Sequence, residues 1–100
     1  MADDADFFAP PPFKPDEALL RLKRELRDLG LSEREGVFQR NGLPIARAQV
    51  DGAALAAARV RRPQRAGAEW QTRRLTDAAA LRDFVADLKK ALQQWGDRDD

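Results

Sequence analysis

The most regular pattern in the chain lies near its C-terminal end, where Leu81, Phe84, Val85, Leu88, Leu92 and Trp95 recur at intervals of three and four. That spacing places them on one stripe of a helix over about residues 77 to 95, with Thr76 as its N-cap and Gly96 as its stop. A second stripe, Leu19, Leu22, Leu26 and Leu29, predicts a helix over about residues 15 to 29. Pro15 suits its first position, Asp16 and Glu17 suit the positive end of its dipole, and Gly30 suits a left-handed cap. Its charges pair at i,i+4 as Glu17 with Arg21, Arg21 with Glu25 and Arg24 with Asp28, so this face is read as solvated.

Between residues 36 and 62 the period shortens to two, and the punctuation becomes Asn41-Gly42 and Asp51-Gly52, both signals for two-residue hairpin turns. Treated as tight turns they set a register: Arg40 opposite Leu43, Phe38 opposite Ile45, Val50 opposite Ala53, Ile45 opposite Ala58, and Leu43 opposite Val60. One face then carries Phe38, Leu43, Ile45, Ala54, Ala56, Ala58 and Val60, interrupted by Arg40 and Arg47. This is read as the core face, because a one-residue slip would trade Phe38 and Ile45 for arginines. The other face carries Gln39, Ala46, Ala48, Ala57, Arg59 and Arg61, with Val37, Val50 and Leu55. The alanines of 53 to 58 also admit a helix, capped by Asp51 and stopped by Pro63; the strand is the preferred reading. Residues 69 to 75, around Trp70 and Thr72, read as a fourth strand.

The expected fold is therefore α+β: helix, antiparallel meander of three or four strands, helix, with both helices packed on one face of the sheet. Residues 1 to 12, with Asp3, Asp4, Asp6 and three prolines, read as a flexible acidic arm, residues 13 to 95 as a single domain, and residues 96 to 100 as an acidic tail. The arm is either a leader or a docking segment that presses Phe7, Phe8 and Phe13 into an apolar groove.

Composition narrows the chemistry. Of 43 apolar residues in 100, 18 are alanine, so the core is built from few large side chains and should be marginal or supported by a partner subunit. Histidine, cysteine and tyrosine are absent, which removes imidazole bases, thiolate nucleophiles, disulfides and tetrahedral zinc sites. Ser32, the lone serine, reads as a turn or cap residue with no base to activate it. Asp83 and Asp87 are i,i+4, but Lys90 beside them makes a solvated ion-pair face. There is no glycine-rich phosphate loop. The expectation is a non-enzymatic protein with no cofactor, no metal and no small-molecule substrate. The acidic N-terminus, the lack of cysteine and the lack of an apolar run of about 18 residues suggest a soluble, cytoplasmic chain without a membrane role.

The net charge of +1 hides a division. Residues 37 to 74 hold eight arginines against Asp51 and Glu69, a net of +6, while residues 1 to 12 carry −3 and residues 96 to 100 carry −2. Arg59, Arg61 and Arg73 are expected to project from the outer sheet face, with Arg62 and Arg65 in the following loop, where planar guanidinium groups suit carboxylates and phosphates. Trp70 is read as either core or an anchor beside them, and Trp95 as core. The expected partner is an acidic protein segment or nucleic acid. The alternatives are a homodimer or subunit contact through Ala46, Ala48, Val50, Leu55 and Ala57, or arginines that only keep a sheet edge soluble. Double-stranded RNA-binding domains and frataxin-like proteins share the element order, but neither functional motif is present. The last helix opens Thr76-Asp77-Ala78-Ala79-Ala80 without a cation before Arg82, and the acids of the first are interleaved with Arg21, Lys23, Arg24 and Arg27.

Overall fold

The computed structural model describes residues 13 to 97. In chain order they form α1 (Pro15–Asp28), β1 (Ser32–Arg34), β2 (Val37–Arg40), β3 (Leu43–Asp51), β4 (Ala54–Val60), β5 (Trp70–Leu75) and α2 (Ala78–Asp97). The strands make one antiparallel sheet in the order β1-β2-β3-β4-β5. Helix, meander and helix follow as the sequence predicts, and residues 54 to 60 are strand rather than helix. The sheet has five strands, not three or four. The extra one is β1, which contains Ser32; it pairs with β2 through a Glu35-Gly36 reversal with φ of 53° and 82°. The same left-handed pair of conformations turns Asn41-Gly42, where the sequence announces it; a glutamate at such a position announces nothing.

The helix termini show which local signals hold. At the end of α1 the Gly30 N–H donates to the Arg27 carbonyl and the Leu31 N–H to the Leu26 carbonyl, with Gly30 at φ 90°. These are the two bonds of a Schellman motif, and buried Leu26 and Leu31 are its apolar partners. At the start of α2 the Asp77 carboxylate, not Thr76, is the cap: its Oδ1 accepts from the Ala80 N–H at 2.7 Å. Gly96 does not stop α2, because the helix runs on to Asp97. Its value is its lack of a side chain, since a Cβ there would stand 3.3 Å from an Arg40 guanidinium nitrogen.

Leu22 and Leu26 of α1 and Leu81, Phe84, Leu88 and Leu92 of α2 form one buried cluster with Phe38, Ile45, Ala46, Leu55, Ala57, Val60 and Leu75 of the sheet. The sheet residues differ from the expected set because the register differs at two places. In the second hairpin the pairing is Asp51 with Ala54, so the reversal is Gly52-Ala53 with only Gly52 left-handed, the pattern of a type II′ turn. That displaces the pairing by two residues and leaves the faces unchanged. The decisive difference is a bulge: Arg40 pairs with Leu43 and Gln39 with Pro44, but Phe38 pairs with Ala46, leaving Ile45 as the extra residue. Ile45 and Ala46 are consequently both buried. Beyond them the alternation is inverted, so Ala46, Ala48, Leu55, Ala57 and Arg59 turn toward the helices while Arg47, Ala56 and Ala58 turn away.

Candidate binding surface on the open sheet face

The bulge reassigns the arginines. Arg59, expected outside, lies on the helix side, its Nε 2.8 Å from Oδ2 of Asp87 on α2, with an Arg73 nitrogen 3.6 Å from the same oxygen. That oxygen is buried with no N–H directed squarely at it, so charge rather than hydrogen-bond geometry holds the group. Asp87 is thus engaged with the sheet instead of forming the solvated pair with Lys90 that its helix spacing suggests. Arg40 also points inward and donates to the Leu92 carbonyl at 3.2 Å, near the negative end of α2. Across the sheet, Glu33 of β1 meets Lys23 at 3.0 Å and Arg27 at 3.1 Å, both on α1. The Lys23 hydrogen bond is the main reason the Glu33 carboxyl lies below its ordinary value. Burial pushes the other way, and the charge of Lys23 and the Arg27 contact add to the lowering.

Among the described residues, the opposite face carries no helix. There Arg47 of β3 lays its guanidinium carbon 4.2 Å from the ring centre of Trp70 on β5, a cation–π contact that bridges β4. Ala58 and Val60, on β4 between them, are buried. Beside this bridge a shallow groove of about 510 Å³ is lined by Glu35, Val37, Arg47, Gln49, Ala56, Ala58 and Thr72 among others. At its far end Arg74 pairs with Asp51 at 2.9 Å. Arg34 of β1 is exposed on the same side. Among the described residues, Arg34 and Arg47 make no ion pair, whereas Arg59 and Arg73 do.

Of the residues singled out from the sequence, Trp70 is on this face, at the start of the edge strand β5, and Arg61, Arg62 and Arg65 are exposed in the loop that precedes it. The Arg61 N–H donates to the Glu69 carbonyl at 3.0 Å, and the Gln64 side-chain amide donates to the carbonyls of Ala66 and Gly67, so the loop closes on itself. Arg59 and Arg73 are not on this face. Ala46, Leu55 and Ala57, expected on the outer face as part of a dimer patch, are buried on the helix side instead. Phe13 packs against the core, half-buried; Phe7 and Phe8 lie outside the described residues. Trp95 packs against the same core.

Unbroken alternation puts Arg47 on the core face, so the sequence pattern does not single it out. The signal was nevertheless there: two arginines, Arg40 and Arg47, interrupted one apolar face, and a bulge between them removes one of the two interruptions. Among the described residues there is no cluster of three or more side chains suited to a metal ion, and no helix is long and apolar enough to cross a membrane. No family model, curated protein or solved structure matches the chain.

Proposed function

We propose that this chain is a small non-enzymatic binding module whose open sheet face docks an acidic protein segment. The observation that carries the reading is the Arg47 guanidinium stacked over Trp70 on the helix-free side, beside a groove floored by Ala56 and Ala58. A stacked guanidinium keeps its charge and its outward N–H groups, and the ring holds it in place, so less side-chain freedom is lost when a carboxylate arrives. Small floor residues let an extended or helical segment approach closely. Arg34, exposed on the same side, extends the basic surface around it. Glu35 and Asp51 border the same face, which favours a partner with spaced carboxylates over a continuous phosphate backbone.

The test is a titration of the protein with a labelled Asp/Glu-rich peptide and with labelled single- and double-stranded nucleic acids, at low and at moderate salt. The proposal requires saturable peptide binding that weakens with salt and is reduced about tenfold or more by Arg47→Glu. Tighter binding to nucleic acid, with a log–log salt slope of about −0.9 per phosphate contacted on duplex DNA, replaces the partner. Sedimentation showing a dimer that the Arg47→Glu change dissociates turns the same face into a self-association surface.

A further inference from the structure

A second concavity lies at the end of the sheet where β2 turns into β3. It has a volume of about 540 Å³, within the usual range for small-molecule sites. Leu43 and Ile45 of the β2–β3 hairpin, Pro63 of the loop after β4, and Trp95 of α2 supply its apolar surface; Arg40 and Arg65 supply its charge. The two amides Asn41 and Gln64 complete the lining, and among the described residues no carboxylate belongs to it.

We infer that this cleft is a binding site for a small aromatic carboxylate. Two guanidinium groups that face a partly apolar cavity without an acidic neighbour call for an anion, and the tryptophan, proline and aliphatic walls call for a flat apolar body attached to it. Arg40 is pre-positioned. One of its nitrogens is held by the Leu92 carbonyl at 3.2 Å, which orients the fork while leaving its full charge and its remaining N–H groups available. Gly96 is what admits it, since a side chain there would press on the guanidinium. Arg65 is exposed on the opposite, loop side, so the pair would hold the carboxylate from two elements while the ring rests among Trp95, Pro63 and Leu43. A single anionic group is favoured over a polyanion because only two cations line the cleft. The site is separate from the open face: it lies at the sheet's end and shares no lining residue with the groove beside Arg47.

The probe is 2-naphthoate, with 2-naphthalenemethanol as its uncharged twin, followed through the indole N–H resonances of the two tryptophans. Trp70→Phe identifies which resonance belongs to Trp95. Expected is a saturable shift of the Trp95 signal, with a dissociation constant of about 1 mM or below. The alcohol should bind about tenfold more weakly, and Arg65→Gln, an exposed loop change that leaves the core intact, should weaken the acid about fivefold. A Trp95 resonance unmoved by about 10 mM acid would overturn the inference. So would equal affinity for acid and alcohol, an unaffected Arg65→Gln, or a shift confined to Trp70.

Discussion

The two faces of the sheet use the same residue type for opposite ends. On the helix side Arg59 and Arg73 converge on Asp87, and Arg40 reaches the Leu92 carbonyl. These guanidiniums tie the sheet to α2 at the rim of the core, and each has a partner supplied by the fold. On the open side Arg47 rests on Trp70, which supplies contact area and no countercharge. Arg59 and Arg73, neutralised by Asp87, contribute to cohesion, whereas Arg47 on its ring and Arg40 on its carbonyl keep their charge and stay available to another molecule. Counting arginines along the middle of the chain cannot separate the two, because the separation is a matter of which face each occupies.

The largest expected effect tests the faces directly. Leu55→Ala, at a fully buried site, should lower unfolding free energy by about 3 kcal/mol, whereas Ala56→Thr next to it should stay within about 0.5 kcal/mol. Without the bulge the two sites would exchange roles, so urea denaturation of both variants decides the matter. Next comes Trp70→Ala, expected to cost about 2 kcal/mol through exposure of Val60 and Ala58 and to abolish acidic-peptide binding. Retained peptide affinity would detach the proposed function from the aromatic bridge.

Asp87→Ala removes the countercharge of Arg59 and Arg73 and should cost about 1.5 kcal/mol, less than a fully buried pair because both partners keep some solvent contact. Adding Arg59→Met should recover part of that loss, and a double-mutant cycle with no coupling would show that the pair does not join sheet to helix. Arg47→Ala, by contrast, should change stability by about 0.5 kcal/mol at most while weakening peptide binding. The smallest effect concerns pH. Because the Glu33 carboxyl titrates below its ordinary value near 4.5, its contribution is complete above that value and is lost as pH falls through the folded value. Glu33→Gln should therefore be less stable than the parent at neutral pH and approach it in denaturation curves as the pH falls below the ordinary carboxylate range; a constant difference would mean the Lys23 and Arg27 contacts carry no folding energy.

Much of the architecture could be read in advance because its signals are local. Leucines at helical spacing, Gly30 after Leu29 and Asn41-Gly42 between alternating segments each fix a conformation within a few residues. What could not be read was either an unsignalled turn, as at Glu35-Gly36, or an irregularity whose cause is tertiary. The bulge at Ile45 lets Ile45 and Ala46 both reach the core, an advantage visible only once α1 and α2 are in place. Since the outward set depends on that one irregularity, unbroken alternation sends Arg47 inward and Arg59 and Arg73 outward, the reverse of their positions in the sheet. Thr76 and Asp77 both suit an N-cap, and only the backbone geometry chooses between them.

The extra residue at position 45 also sets how this chain tolerates changes of length. Shortening β3 by a single residue there would leave composition and overall hydropathy nearly untouched, yet every side chain from position 46 to the reversal would swap sides, delivering Arg47 into the interior and Ala46 to water. Insertions or deletions in this hairpin are therefore acceptable only in pairs, and a one-residue edit acts as a frameshift written in space rather than in codons.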